Sequence, residues 1–301
     1  MMQTAVKTKK PRKQAVSGRF GAERTYRGRI KDDHKIDPAC GSGGFLLHAL
    51  DYMRTQASDY YDAGTVDYFN YWHDFASKHL FGIEINDEIA RVAKMNMIVH
   101  DDGHTNVISF DALDSIEKMH DHNRGFEEGK FDLILTNPPF GSTINLAEKP
   151  YLANYELGNS YDAKGKAKPR KNQSSEILFV ERIWDFLKTG TGKAAIVLPD
   201  GVLTNSSSQY VRDFILEKFQ LLAVVSLPQH AFAHFGAGVK ASIIFVRKRR
   251  ATEKPDPDEA IFMAAPELIG YDATGRKTDS QFDEIIEKYE EFQKDATPFF
   301  A

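Results

Sequence analysis

Short apolar runs separated by amphipathic segments constrain the fold of this chain more than any other feature. Residues 79–85, 131–135 and 193–199 contain such runs, and the segments between them carry apolar residues at helical spacing. Continuous apolar runs are typical of strands buried on both faces, as in parallel sheets whose crossovers are helices. The pattern predicts an α/β fold with a doubly wound, mostly parallel, Rossmann-like sheet.

The remaining elements follow from the same periodicities. Further strands are predicted at 106–110, 221–228, 241–248 and 260–265, and helices at 43–57, 86–100, 174–190, 207–219 and 282–292. A polar loop of roughly thirty residues is predicted after 131–135, a length that is uncommon and often functional.

Charge divides the chain into unequal parts. Residues 1–35 hold eleven Lys or Arg against three Asp or Glu, although the whole chain has a net charge of −4. We interpret 1–35 as a poorly ordered basic segment, either a solvated tail or a DNA-contacting arm. A catalytic domain is predicted at 36–250, and a C-terminal extension at 251–301 packed on or beside it. Residues 36–301 therefore carry an excess of acidic side chains, which is unusual for a protein that binds DNA alone.

Cysteine usage and hydropathy indicate the compartment. The single cysteine, Cys40, excludes an internal disulfide, and we expect it to have a packing role. No apolar run has the length of a membrane span, and the chain does not open with a signal-peptide pattern. These features favour a cytoplasmic protein without a membrane partner.

A glycine-rich turn follows the first predicted strand, in the stretch DPACGSGGF. Gly41 and Gly43 allow the backbone to approach a ligand closely, and Gly44 lets the next helix begin nearby. The spacing is neither that of a dinucleotide-binding turn nor that of a P-loop. Glu84 ends the second predicted strand, where a carboxylate can accept hydrogen bonds from a ribose diol. Asp111 follows the third strand and can accept from an adenine amino group or cap a turn.

The glycine turn and the stretch NPPFG together resemble the amino-methyltransferases that act on DNA adenine. The resemblance is closest to the modification (methylase) subunit of type I restriction–modification systems, and it covers residues 36–290. The other matching stretches are GIEINDEIARVAKMNM, GKAAIVLPDGVL, SLPQHAFAHFGAGVKASIIFVRK and LIGYDATGRK. The resemblance implies the fold of class I S-adenosylmethionine-dependent methyltransferases. It also implies methyl transfer from S-adenosylmethionine to N6 of an adenine flipped out of double-stranded DNA. The implied partners are a specificity subunit and an endonuclease subunit.

The resemblance assigns roles by position. The residues assigned to the cofactor are Asp37, Ala39, Gly41 and Gly43 for the methionyl portion, Glu84 for the ribose, and Asp111 and Ala112 for the adenine. The residues assigned to catalysis are Asn137, Pro138, Pro139 and Phe140.

The chemistry of an exocyclic amino group explains the residues of the NPPFG turn. The lone pair of adenine N6 is conjugated with the ring, so acceptors aimed at its two hydrogens are needed to favour a pyramidal nitrogen. The Asn137 side-chain oxygen and the Pro138 carbonyl can supply them, since the proline rings restrict the backbone. Phe140 is placed to stack on the flipped base.

Other residue patterns carry weaker signals. His230 and His234 have i, i+4 spacing that would suit a metal on a helix, but no third ligand is evident and no metal is predicted. The basic stretch AKGKAKPRK, residues 163–171, is interpreted either as a DNA-phosphate contact or as a solvated loop.

Two alternative functions stay open at this point. Methyltransferases of protein glutamine or of RNA amino groups share an Asn-Pro-Pro-aromatic turn, because the nitrogen chemistry is the same. A truncated, non-catalytic subunit that only docks on partners is the second alternative. It is suggested by a first strand whose only apolar residue is Ile36 and by the lack of the family's helical N-terminal region.

Overall fold

A computed structural model describes residues 32–100 and 106–296 of the chain. The helices are α1 (Gly44–Ser58), α2 (Val66–His79), α3 (Asp87–Val99), α4 (Ile116–His122), α5 (Ser175–Phe186), α6 (Asp200–Thr204), α7 (Gln209–Lys218) and α8 (Phe282–Lys294). The strands are β1 (Lys35–Asp37), β2 (Leu80–Glu84), β3 (Val107–Ser109), β4 (Leu133–Thr136), β5 (Thr143–Asn145), β6 (Asn159–Tyr161), β7 (Ala167–Pro169), β8 (Asn172–Ser174), β9 (Lys193–Pro199), β10 (Phe219–Ser226), β11 (Ala241–Lys248), β12 (Phe262–Ala264), β13 (Ile269–Tyr271) and β14 (Lys277–Ser280).

An eight-stranded sheet forms the centre of the molecule, in the order β12-β10-β11-β9-β4-β1-β2-β3. Strands β3, β2, β1, β4 and β9 run parallel, and β11 is antiparallel to both of its neighbours, β9 and β10. This confirms the predicted α/β fold with a mostly parallel sheet. β1 lies between β2 and β4, so the chain reverses its direction of winding beside it. The carboxyl ends of β1 and β4 are consequently neighbours, which is where open α/β sheets bind ligands.

Helices α1 to α3 pack together beside β2. α1 buries Leu46, Leu50, Met53 and Ala57, whose spacing places them on one helical face. α3 begins after Asn86, whose side chain accepts hydrogen bonds from the next turn's backbone N–H groups, as an N-cap does. The predicted helices at 43–57 and 86–100 are therefore confirmed to within one residue at each end.

A second and larger cluster of buried residues joins the sheet to α5. Phe131 and Phe186 are fully buried and meet edge to face, with ring centroids 5.5 Å apart. The predicted helix at 174–190 ends earlier, at Phe186. Leu187 adopts an extended backbone, and the Lys188 backbone N–H donates to the Phe131 carbonyl at 2.8 Å. The chain leaves the helix because this end packs alongside the start of β4, a tertiary contact that local periodicity does not reveal.

The segment predicted as one long polar loop contains regular structure. β5 pairs with β8, β6 pairs with β7, and one turn of 3₁₀ helix spans Pro150–Asn154. Asp162 closes the β6–β7 hairpin, because its carboxylate accepts from the backbone N–H groups of Lys164 and Lys166. Strands of three mostly polar residues are too short to show apolar alternation, so the loop interpretation of this segment was wrong.

The structure describes little of the predicted N-terminal segment and most of the predicted C-terminal extension. Residues 1–31, most of the predicted basic segment, lie outside the described residues. β12, from the predicted C-terminal extension, pairs in parallel with β10 at the edge of the central sheet, and α8 packs against β12. The division of the chain at residues 35 and 250 stays a prediction. In residues 32–100 and 106–296, no helix has both the length and the apolar character needed to cross a membrane.

Candidate active site

The turns that follow β1 and β4 are joined by a buried hydrogen bond. The Thr136 hydroxyl donates to Asp37 Oδ1 at 2.7 Å, and the Ala39 backbone N–H donates to the same oxygen at 3.0 Å. Asp37 is only 2% exposed and Thr136 is fully buried. Burial raises the pKa of Asp37 to about 7, although both hydrogen bonds act to lower it. The glycine turn is thereby attached to the residue that immediately precedes Asn137.

The glycine turn adopts the backbone conformations that its sequence predicts. Gly41 has φ +53° and Gly43 has φ +90°, in the region that side chains rarely adopt. A Cβ built on Gly41 would meet no atom within 4 Å, so the turn borders open space. The Cys40 backbone N–H donates to the Ile83 carbonyl at 2.9 Å and holds the turn against the end of β2. Such a turn can receive a ligand close to its backbone.

Glu84 lies beside this turn. Its Oε2 accepts from the Gly41 backbone N–H at 3.1 Å, and its Oε1 accepts from the Asn86 N–H at 2.8 Å. Each carboxylate oxygen has two lone pairs, so both retain capacity for a second donor. The predicted ribose acid and two predicted cofactor residues, Gly41 and Gly43, therefore lie at the same edge of the sheet.

Asp111 and Ala112 follow β3 at this edge, since the Phe110 backbone N–H donates to the Glu84 carbonyl at 3.0 Å. Asp111 Oδ2 accepts from Lys149 Nζ at 3.0 Å and from the Tyr151 hydroxyl at 2.8 Å. Ala112 is buried. Asp111 thus already has two partners from the segment after NPPFG, which the sequence did not predict.

The predicted catalytic turn presents free acceptors. Asn137 is exposed and Pro138 is buried. Within the described part of the chain, neither the Asn137 side chain nor the Pro138 carbonyl makes a hydrogen bond. Phe140 meets Phe232 edge to face, with ring centroids 6.3 Å apart and planes at 89°. The turn therefore combines two acceptors with an aromatic pair, on a backbone restricted by two prolines.

Several residues around the site escaped the sequence interpretation. Gly82 is one, because a Cβ there would come within 2.7 Å of Leu46 Cδ1 and 3.1 Å of Cys40 Sγ. Thr136 is another, although its place directly before Asn137 could have suggested a role. Tyr151 contacts Asp111 and Phe232 contacts Phe140 across long separations in the chain, so no local sequence pattern predicts these contacts.

The remaining candidates are two histidines and the single cysteine. His230 and His234 are in a turn and a single 3₁₀ turn rather than on an α-helix, so the helical spacing does not apply. The His234 ring packs on Phe235 and Tyr271. Across residues 32–100 and 106–296, no three His, Cys, Asp or Glu side chains are grouped to hold a metal. Cys40 is buried, and burial raises the pKa of its thiol.

The chain is similar in sequence to known proteins. The methylase subunit of the type I restriction enzyme EcoEI from Escherichia coli is 29% identical over 234 residues, which is 74% of this chain and 41% of that subunit. The chain therefore spans less than half the length of this curated relative.

Solved structures agree on the fold. The M protein of the type I restriction enzyme EcoKI matches 86% of this chain and 49% of its own length, with a TM-score of 0.57 and 21% identity. A Listeria monocytogenes protein described as a class I S-adenosylmethionine-dependent methyltransferase matches 90% and 69%, with a TM-score of 0.57 and 18% identity. The fold is that of class I methyltransferases. The family model described as N-6 DNA methylase matches residues 25–301, and the chain therefore belongs to the N-6 DNA methylase family.

Proposed function

We propose that this chain transfers a methyl group from S-adenosylmethionine to N6 of adenine in DNA, as the modification subunit of a type I restriction–modification complex. The observation that carries the proposal is the pair of unengaged acceptors, the Asn137 side chain and the Pro138 carbonyl. They lie next to Thr136, whose hydroxyl bonds to Asp37 at the glycine turn. Substrate acceptors and cofactor turn are thus adjacent at the carboxyl edge of one sheet.

The residues at the glycine turn fit the proposed cofactor. The space beside Gly41 would receive the methionyl portion, to which we also assign Asp37, Ala39 and Gly43. Glu84, at the end of β2, would hold the ribose hydroxyls. The adenine would lie by Asp111 and Ala112, which follow β3. When bound, S-adenosylmethionine supplies an electrophilic methyl group on a sulfonium centre.

The protein's part in the reaction is to hold the amino group. Asn137 Oδ1 and the Pro138 oxygen would each accept one N–H of the target adenine, which disfavours conjugation of the nitrogen with the ring. The positive charge that develops on nitrogen is then stabilised by both acceptors. An adenine inside a duplex cannot reach this turn, so the base must be flipped out, and Phe140 would contact its face.

Partners follow from the family and from the charge of the chain. The net charge of −4 does not favour DNA binding by this chain alone. We propose that a specificity subunit supplies the recognition of sequence and that an endonuclease subunit joins the same complex. The basic β6–β7 hairpin, with exposed Lys164, Lys166 and Lys168, remains a candidate for a phosphate contact.

A label-transfer screen tests the proposed function. The chain, with and without its specificity partner, is incubated with methyl-labelled S-adenosylmethionine and with unmethylated plasmid DNA, total RNA or a protein extract. We expect label in DNA, as N6-methyladenine, and only when the partner is present. Label in protein or RNA alone would favour the glutamine or RNA alternatives, and no detectable cofactor binding by calorimetry would favour a docking subunit.

Replacing Glu84 by glutamine should weaken cofactor binding. The amide keeps the size of the side chain but offers one acceptor oxygen in place of two. The loss of charge-assisted hydrogen bonds to the ribose should raise the Kd for S-adenosylmethionine by about 10- to 100-fold. Calorimetric titration measures this, and thermal melting shows whether the turn itself is disturbed.

Glu88→Gln is the matched control, because this exposed glutamate lies four residues further on, in the first turn of α3. We expect its Kd to equal that of the wild type. An unchanged Kd in Glu84→Gln would remove Glu84 from the proposed cofactor site.

A further inference from the structure

The first two residues of α5 contact the turn that carries Asn137. The Ser175 hydroxyl donates to the Pro139 carbonyl at 3.0 Å, and the Ser175 backbone N–H donates to the Ser142 carbonyl at 2.9 Å. The Glu176 carboxyl group lies beside the Gly141 backbone N–H. Two hydrogen bonds and this close approach thus join the start of the helix to Pro139, Gly141 and Ser142 of the turn.

Glu176 is an unusual residue to find in this position. It is 7% exposed, and its Oε2 is buried without a hydrogen-bond partner among the described residues. The other buried side-chain atoms without a partner there are the Nδ1 atoms of His34 and His79 and the indole nitrogen of Trp72. Only Glu176 lies against the candidate active site. A buried carboxyl group with an unpartnered oxygen lowers the stability of a fold. A functional role therefore explains the presence of Glu176 here better than packing does.

The geometry of the turn shows what these contacts restrict. In Pro138 and Pro139 the rings restrict φ, so ψ is the main remaining freedom of each residue. The bond from Ser175 fixes the direction of the Pro139 carbonyl and therefore limits ψ at Pro139. The Glu176 carboxyl group borders the exit of the turn, where Gly141 has φ +75°. The two Ser175 contacts hold the far side of the turn against α5, and they thereby limit how far the turn that carries Asn137 and the Pro138 carbonyl can move as a unit.

We propose that Ser175 and Glu176 are positioning residues for methyl transfer: they hold the Asn137–Phe140 turn in the conformation that aims its two acceptors at the target amino group. The inference rests on the proposed function and adds to it two residues that do not contact the substrate. The role requires an acceptor oxygen that faces Gly141, in a site where burial disfavours charge. Glutamine offers the same acceptor and no charge, so it should replace glutamate well.

Steady-state kinetics of the chain with its specificity partner test the proposal. We expect Glu176→Leu, which cannot accept from Gly141, to lower kcat by about 10- to 100-fold, because small misplacements of catalytic groups are costly. The KM for DNA and the Kd for S-adenosylmethionine should stay within about two-fold, since neither ligand is proposed to contact Glu176. Glu176→Gln should recover most of the lost kcat.

Two control variants are available in the chain. Ser174→Ala removes a neighbouring hydroxyl that makes no capping bond, and it is compared with Ser175→Ala. Glu128→Gln, at an exposed glutamate, is compared with Glu176→Gln. We expect Ser174→Ala and Glu128→Gln to have wild-type kcat, and Ser175→Ala to lower kcat without changing either ligand affinity.

Hydrogen–deuterium exchange of residues 140–142 gives a readout that needs no activity. The Gly141 amide should exchange faster in Glu176→Leu than in wild type, and at the wild-type rate in Glu176→Gln. If the wild type fails to methylate DNA, the proposed function falls, while this exchange still shows whether Glu176 holds the turn. Wild-type exchange together with wild-type kcat in Glu176→Leu would overturn it. If Glu176→Leu fails to fold, the kcat and the hydrogen–deuterium exchange of Ser175→Ala test the proposal instead.

Discussion

Replacing Asn137 by alanine should lower the rate of methyl transfer by about 10²- to 10³-fold, the usual cost of removing one acceptor or donor that stabilises developing charge. The Asn137 side chain is exposed at the carboxyl end of β4 and makes no hydrogen bond in the described part of the chain. It is therefore available to the target amino group, and its loss leaves the Pro138 carbonyl as the sole acceptor of the pair.

The same variant should leave the cofactor almost unaffected. The contact between the two turns is made by Thr136 with Asp37, and Asn137 takes no part in it. We expect the Kd for S-adenosylmethionine to change by less than about two-fold, so that the defect appears in kcat. Single-turnover transfer of labelled methyl groups to DNA and calorimetry measure the two quantities separately.

Asn70→Ala is the matched control, because Asn70 is exposed on α2. It should transfer methyl groups at the wild-type rate. Wild-type transfer by Asn137→Ala would exclude the acceptor role of this side chain and, with it, the mechanism proposed here.

Replacing Asp37 by asparagine should change how stability depends on pH. Burial raises the pKa of Asp37 from 3.8 to about 7, so the folded protein holds a proton that the unfolded chain releases near pH 4. The stability that this proton confers is complete below pH 4 and is lost as the pH rises through 7. Asparagine is neutral at every pH and suffers no such loss. Relative to wild type, Asp37→Asn should gain up to about 4 kcal/mol of unfolding free energy between pH 4 and pH 8.

Urea denaturation at several pH values between 5 and 8 measures this difference. Glu181 and Asp185 also have raised pKa values, of about 7 and about 6, and they titrate in the same range. They are present in both proteins, so their contributions cancel when the curves are subtracted. Asp121→Asn, at an exposed aspartate, should give a difference that does not vary with pH. A flat difference for Asp37→Asn would show that Asp37 is already ionised in the folded protein at neutral pH.

Local patterns were sufficient for the strands of the central sheet, for the helices α1, α3, α5, α7 and α8, and for the two turns. Apolar runs marked the parallel strands, and the glycine and proline stretches marked the ends of β1 and β4. These predictions succeeded because each depends on residues within about one helical turn of each other, where backbone preference and burial act together. The helix end placed at Gly190 and the single loop after β4 failed because contacts with distant residues decided both.

The sequence by itself determined the α/β class, the position of the glycine turn, and the resemblance on which the family assignment was first based. Only the tertiary structure decided which side chains act together. The bond from Thr136 to Asp37 spans 99 residues, and the contacts of Ser175 with Pro139 and of Tyr151 with Asp111 likewise join distant segments. Such pairs depend on the order of the strands in the sheet. Because β1 and β4 are parallel neighbours there, their carboxyl ends lie together whatever their separation in the chain.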